Sequence, residues 1–371
     1  MNNDVAITKH KHTRVLLLIH GLFPGYVAPV FKEIAKNLHE QGYQVEVAAV
    51  GEGLTPTGEN FKFNIHVIKP KSIFKQYKEI ITLTKGFDIV HYFPGKGFEL
   101  LPLFNRDAKF VFHFISVSVS GRFFYDLAIN TLKKLQPIFA HMAIYTDVEL
   151  QKNINPFFKI KCNILPVGYA SDLFYPCKPY QESGKRLLIF HGSCHPARRL
   201  EQMIKVLPHL EDCYELMIIG KGPEKYIRML KQMSIDLNCS HRLFFTEMPQ
   251  DQIRLVIENA YLCFSYVPVI DCYQDQFVLK TVEYLACGRP VLTTNTRYSL
   301  RFQNKIGKKN LLVCQDDVNE LASMINSSYD FVKEFYNEDG LECLFSKIKK
   351  YSNDFLIKEK LNLYYDELLK K

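Results

Sequence analysis

The chain has 371 residues, of which 47% are hydrophobic, 23% charged and 13% aromatic. That length exceeds one typical core and predicts two domains, and the composition excludes long disorder. The formal net charge of +8 comes without any recognised nucleic-acid-binding motif, so nucleic acid is not an expected partner.

Residues 14–19, "RVLLLI", read as a buried strand. The loop "HGLFPGYVAP" and a helix "VFKEIAKNLHEQG" follow, with Phe31, Ile34, Ala35 and Leu38 at helical spacing and Gly42 as the stop. "YQVEVAAV" is the next strand, which makes a βαβ unit with parallel strands. Further strand-like runs lie at 63–68, 88–92, 109–115 and near 141–145. The stretch 165–185, rich in Pro, Gly and Ser, then reads as a linker.

A second βα series starts at "RLLIFHGS" (186–193). It continues through the helix "RLEQMIKVLPHL", the strand "YELMIIG", the strand "RLFFTE", the helix "PQDQIRLVIENA" and the strand "YLCFSYV". The tail "YSNDFLIKEKLNLYYDELLKK" is amphipathic and helical. The expected class is α/β, with two Rossmann-like doubly wound domains facing across a cleft. The expected division is 1–168, a linker at 169–185, a second domain at 186–345 and a C-terminal helix at 346–371. Ligands of such sheets lie outside the carboxyl ends of the strands.

The N-terminus has no signal-peptide pattern, and no segment approaches the roughly 18–20 apolar residues of a membrane span. Ten cysteines lie at or after Cys162 with no CxxC pair and no zinc-ligand spacing. Reduced thiols in a cytoplasmic protein are the expectation. The charge is uneven: residues 1–170 hold 20 Lys and Arg against 13 acids, and the rest 27 against 26. Two stretches of the first half, 69–85 and 121–139, mix basic and apolar residues. They read either as solvated helix faces or as contacts with an anionic membrane surface.

The segment "DQFVLKTVEYLACGRPVLTTN" (275–295) carries the chemistry. It predicts a helix with Val278, Val282, Leu285 and Ala286 on its apolar face, stopped by Gly288 and Pro290. Asp275 and Glu283, about 12 Å apart on two helical turns, could bracket an elongated ligand. The helix N-terminus between them offers N–H groups to a phosphate. Alternatively, Asp275 is a helix cap and Glu283 pairs with Lys280.

This segment resembles the signature of family 4 glycosyltransferases, which have the GT-B fold. There, two acids with seven residues between them precede a small residue, glycine and proline, as Asp275, Glu283, Ala286, Gly288 and Pro290 do here. Lys280 and Tyr284 match the variant with "K-x-x-E-Y" in the helix. The resemblance implies that Glu283 holds the ribose of a nucleotide sugar, that Asp275 contacts the donor sugar, and that Gln276, Phe277, Val278 and Leu279 present the helix N-terminus to it. "HGSCHPARRLEQMI" is similar to the strand, loop and helix at the donor diphosphate, which implies donor contacts for Gly192, Ser193, Arg198 and Arg199. "IIGKGPEKYIRML" contributes Gly222, and "LFFTEMPQDQI" contributes Glu247 and Met248 near the base. In the first half, "FPGYVAPVFKEIAKNL" resembles the loop and helix that begin the acceptor domain, with Gly25 near the donor. His113 corresponds to a histidine near the transferred sugar. A lone histidine is more often a satisfied core residue, but the place of His113 at a strand's carboxyl end favours the cleft.

The resemblance implies a retaining transferase that moves a sugar from a nucleotide sugar to a hydroxyl of a glycan or lipid-linked acceptor. Asp275, His113, Arg198 and Lys280 are its expected catalytic residues. No cofactor and no metal are expected, since no D-x-D motif is present. The expected place is cytoplasmic, at the inner face of a membrane. Three departures stand out: aspartate for the usual glutamate at 275, Ser193 for a basic residue, and "PGYVAP" for paired glycines. They leave open a catalytically weak partner subunit, a two-domain epimerase of similar fold, or a binding protein of the periplasmic type.

Overall fold

The computed structural model describes residues 10–21, 29–51, 61–69, 72–95, 97–115, 123–154, 159–182 and 184–370. It divides into two compact units, Met1–Gly168 with Asn353–Lys371, and Tyr169–Ser352.

The first unit holds strands β1 (Arg14–His20), β2 (Gln44–Val50), β3 (Asn64–Ile68), β4 (Ile89–Tyr92), β5 (Lys109–Phe114), β6 (Met142–Tyr145) and β7 (Lys161–Ile164). They form one parallel sheet in the order β3-β2-β1-β4-β5-β6-β7. The apolar run in β1 follows from burial on both faces: Val15, Leu17 and Ile19 enter one core, Leu16 and Leu18 the other. The helix Pro29–Glu40 covers the first core with Phe31, Ile34, Ala35 and Leu38. The C-terminal stretch packs on the same core through Leu356, Ile357, Leu361, Tyr365 and Leu368. Two basic stretches of the sequence form the helices Ile73–Thr84 and Phe123–Leu135. Residues 70–71 and 121–122 of those stretches lie outside the described residues.

The second unit holds β8 (Arg186–His191), β9 (Tyr214–Ile219), β10 (Leu243–Thr246), β11 (Leu262–Ser265), β12 (Val291–Thr294) and β13 (Leu312–Cys314). Its order is β10-β9-β8-β11-β12-β13, again parallel. The order reverses between β8 and β11, and in the first unit between β1 and β4. At such points the helices after adjacent strands depart to opposite faces and open a crevice at the carboxyl ends. Residues 169–182 pack on this second unit. Arg254 and the buried Arg289 donate to carbonyls of Tyr175, Pro176 and Lys178, and the Cys177 amide donates to the Cys287 carbonyl.

The strands β7 and β13 are absent from the sequence reading. β7 is four residues long and half-buried throughout, and β13 has three residues. Neither is long enough to set a period of its own. Among the described residues, no helix is long and apolar enough to cross a membrane.

Candidate functional site

The candidate site of the second unit is built on the ends of β8 and β9 and on the helix Leu279–Ala286. Two loops at the strand ends run side by side. The Gly192 and Cys194 amides donate to the Ile219 and Lys221 carbonyls at 2.9 and 2.8 Å. This approach leaves no room for side chains: a Cβ at Gly220 would sit 1.8 Å from the Gly192 carbonyl oxygen, and one at Gly222 1.8 Å from that of Cys194. The glycines of "GKG" therefore serve loop packing. A Cβ at Gly192 would meet the Lys280 ammonium at 3.3 Å.

The helix begins at Leu279, with Val278 at the N-cap and no side-chain cap bond. Among the described residues the Leu279 and Lys280 amides have no partner and are left to solvent or a ligand, while the Thr281 amide donates to the Val278 carbonyl at 3.1 Å. Gly288 ends it with a φ of +68°, the left-handed conformation expected of it. One face packs through the fully buried Val282 and Leu285, and Thr281 is tied to Ser265 at the end of β11 by a 2.7 Å hydroxyl contact.

Glu283 lies on this helix and is buried. One carboxylate oxygen is 3.1 Å from His191 Nε2, at the last position of β8, in ion-pair range but off the line of a hydrogen bond. The Tyr284 hydroxyl accepts from the His191 amide at 2.8 Å, and the two rings meet edge to face. Glu283 therefore faces His191, and the Glu283–Lys280 ion pair of the alternative reading is not formed among the described residues. His191 escaped the sequence reading, although its place between a strand end and a glycine was the available signal.

Lys280, one turn before Glu283, is partly buried with its ammonium 3.8 Å from the centre of the Phe190 ring. Burial, and after it the charge of Arg198, hold its pKa well below the ordinary lysine value. Arg198 closes the short turn Pro196–Arg198 and lies over the Tyr273 ring at 4.9 Å. The turn is capped by His195, whose Nδ1 accepts from the Ala197 amide. Arg199 follows at a positive φ of 49°, and the α-helix starts only at Glu201. Both arginines thus precede the helix, which the sequence reading had begun at Arg199. Ser193, in the loop after β8, is partly buried.

Asp275 stands elsewhere than the sequence reading placed it. It precedes the helix by four residues, so it neither lies two turns before Glu283 on that helix nor caps it. Its carboxylate is engaged from the next helix, Arg297–Ile306. Arg297 donates at 2.5 Å and Arg301 at 2.8 Å, one to each oxygen. Burial pushes this carboxyl up, but the bonds and charges of Arg297 and Arg301 outweigh it and leave the group below its usual range. The same helix start fixes the neighbouring residue, since the Arg297 and Tyr298 amides donate to the side chain and carbonyl of Gln274. Gln276 follows, partly buried, and Phe277 packs on Tyr298 and Tyr351. Glu247, after β10, is exposed and pairs with Lys221 at 3.5 Å, with Met248 partly buried next to it.

In the first unit, His113 is buried near the end of β5 and stacks on His91 of β4. Burial lowers its pKa to about 3, so it is neutral. Gly25 lies outside the described residues.

Residues 185–330 match the family model described as "Glycosyl transferases group 1", which spans most of the second unit. No curated protein matches the sequence. Among solved structures, the chain is similar to HepE of Anabaena in complex with UDP-glucose, with a TM-score of 0.77, 13% identity and coverage of 96% of this chain and 100% of that one. It is also similar to a glycosyltransferase from Rickettsia africae, with a TM-score of 0.70, 16% identity and coverage of 97% and 99%. WaaG, a glycosyltransferase involved in lipopolysaccharide biosynthesis, gives 0.64, 16%, 96% and 97%. The fold is the α/β GT-B fold with two Rossmann-like units.

Proposed function

We propose that the chain is a retaining glycosyltransferase of family 4 type that uses a nucleotide-sugar donor. One observation carries this reading. Two cations, Lys280 and Arg198, stand together at an uncapped helix start, with a buried acid one turn further on. Folding gains nothing from a partly buried lysine beside an arginine. A diphosphate at the helix N-terminus relieves both charges and takes up the open amides. Glu283 then accepts from ribose hydroxyls, with His191 behind it. The model match over this unit and the UDP-glucose bound by HepE are consistent with that assignment.

In the reaction, an acceptor hydroxyl attacks on the face the diphosphate leaves, and a phosphate oxygen takes its proton. Arg198, Lys280 and the helix start stabilise the departing charge. Neither a protein nucleophile nor a metal enters this scheme. The acceptor class is a glycan or lipid-linked intermediate of polysaccharide or glycolipid assembly, met at the cytoplasmic face of a membrane.

The engagement of Asp275 by two arginines favours one second reading, a partner subunit that binds a nucleotide or glycan without turnover. A thermal-shift screen against nucleotides and nucleotide sugars, followed by a transfer assay on the best donor, separates the two. Binding with turnover supports the transferase, binding alone supports the partner subunit, and no binding sinks both.

A further inference from the structure

Two cysteines far apart in the chain, Cys177 and Cys287, meet inside the second unit. Cys177 lies in the segment 169–182 that opens this unit, and Cys287 is the C-cap of the helix Leu279–Ala286. The Cys177 amide donates to the Cys287 carbonyl at 3.0 Å. Backbones joined in this way stand about 5–6 Å apart between Cα atoms, inside the range that a disulfide spans. The thiols meet as well, with Cys287 donating a hydrogen bond to the Cys177 sulfur. Both are free; Cys287 is fully buried and Cys177 is partly exposed.

Their surroundings give the two thiols different characters. The hydrogen bond from Cys287 holds the Cys177 thiol below its ordinary value; burial and Glu258 oppose this, and the charges of Arg289 and Arg254 add to it. Both guanidinium groups are fixed beside the segment. Arg289 donates to the Lys178 carbonyl at 2.6 Å, and Arg254 to those of Tyr175 and Pro176 at 3.2 and 3.1 Å. These bonds all go to backbone, so none of them needs a thiol at 177. Cys287 is pushed up by the same thiol contact and by burial, and the buried Cys263 of β11 is raised by burial. An accessible thiol that ionises readily, with a protonated one behind it, is the arrangement that a peroxide attacks and a second cysteine resolves.

We propose that Cys177 and Cys287 are a peroxide-sensitive pair that closes into a disulfide and fastens the segment 169–182 to the end of the helix Leu279–Ala286. The Cys177 thiolate attacks one oxygen of hydrogen peroxide. The O–O bond breaks, Cys177 becomes a sulfenic acid, and the released hydroxide takes a proton from solvent. The Cys287 sulfur then attacks the Cys177 sulfur, the S–O bond breaks, and the leaving hydroxide takes the Cys287 proton. One peroxide is reduced to two waters while two thiols are oxidised to one disulfide, which a dithiol reverses by exchange. The Cys287 amide donates to the Glu283 carbonyl at 3.1 Å, so the bond fastens the helix that carries Glu283 and Lys280. This chemistry is independent of the glycosyltransferase reading.

The test treats the full chain with hydrogen peroxide at pH 7, blocks the remaining thiols, digests without reduction and maps the peptides by mass spectrometry. The expected result is a peptide pair joined through Cys177 and Cys287 that dithiothreitol separates. The oxidised protein should melt several degrees above the reduced one, because the bond closes a long loop. Cys287→Ser should stop at a Cys177 sulfenic acid, captured by dimedone. Cys177→Ser should give neither the crosslink nor the rise in melting temperature. Oxidation of other cysteines with Cys177 left as a thiol overturns the proposal. So does a wild-type Cys177 that stays a sulfenic acid, a bond from Cys177 to Cys263, or a crosslinked protein that melts no higher than the reduced one. The wild-type map decides whether or not the variants fold.

Discussion

Arg301 Nη1 lies 2.8 Å from Asp275 Oδ1, and Arg297 closes on the other oxygen. This clamp ties the loop before the helix Leu279–Ala286 to the start of the helix Arg297–Ile306. An acid that could have met a ligand directly is in this structure a fastening for the segment that presents the helix N-terminus.

The clamp makes Asp275 a source of stability with a defined pH dependence. Its folded pKa lies below the ordinary value. Its contribution is therefore complete above the unfolded pKa of about 3.9, and is lost as pH falls through the folded value. Asp275→Asn should cost about 2 kcal/mol at neutral pH, and the gap to wild type should close in acid. Chemical denaturation from pH 3 to 7 measures this; a gap of constant size would remove the charge from the account.

Glu283→Gln keeps the shape of the buried side chain and removes its charge. Under the proposed function it should weaken the nucleotide identified by thermal shift at least tenfold, about 1.4 kcal/mol or more. The fold should survive, because the acid's near neighbour, His191, approaches without hydrogen-bond geometry. Calorimetric titration beside a melting curve separates the two effects. Unchanged affinity in a folded variant would take Glu283 out of the binding site.

The parallel sheets were legible because their strands are buried on both faces and read as apolar runs, as "RVLLLI" does. The helix Leu279–Ala286 was legible through its apolar face and its Gly288-Pro290 stop. What escaped was contact between segments distant in sequence. Nothing near Asp275 announces Arg297 and Arg301, which meet it 22 and 26 residues later. Local spacing suggested instead a cap or a ligand contact. Likewise, the meeting of His91, His113 and Tyr365 depends on strand neighbours and on the return of the C-terminal helix, at a separation of 274 residues. A histidine in a strand carries no local sign of such contacts.

Lys280→Met should raise stability while lowering nucleotide affinity, the opposition expected where a site is held in a strained charge state. The pKa of Lys280 is depressed, so the unfolded chain binds the extra proton and the folded protein pays for charge at low pH. The gain from Lys280→Met should be largest below the folded pKa. It should fade as pH rises towards the unfolded value of about 10.4. Nucleotide affinity should fall about tenfold or more in the variant, read by calorimetric titration. Unchanged affinity would argue against a diphosphate at Lys280.

Gly222→Ala should be among the most damaging small substitutions in the second unit. Its Cβ would sit 1.8 Å from the Cys194 carbonyl oxygen, and backbone cannot yield as a flexible side chain can. Separating the two loops breaks the Cys194–Lys221 hydrogen bond and should cost about 2–3 kcal/mol. A melting temperature within a degree of wild type would mean that the loops move apart freely.

The membrane reading of the two basic stretches is tested on the exposed helices they form. On the helix Phe123–Leu135, Phe124 is 83% exposed, and Leu127, Leu132 and Leu135 stand out on the same side, with Lys133 and Lys134 in the last turn. Phe74, on the helix Ile73–Thr84, is 85% exposed. Apolar side chains next to lysines suit the boundary of an anionic bilayer, where the rings enter the acyl region and the ammonium groups meet headgroups. The protein should therefore sediment with vesicles containing anionic lipid, and release should follow rising salt over the range in which the Debye length shrinks below 10 Å. Phe124→Ser together with Leu132→Ser should weaken that binding about tenfold or more by the apolar area withdrawn. Lys133→Gln with Lys134→Gln should instead flatten the salt dependence. If both double variants bind as the wild type does, the exposed apolar side of this helix is not where the chain meets lipid.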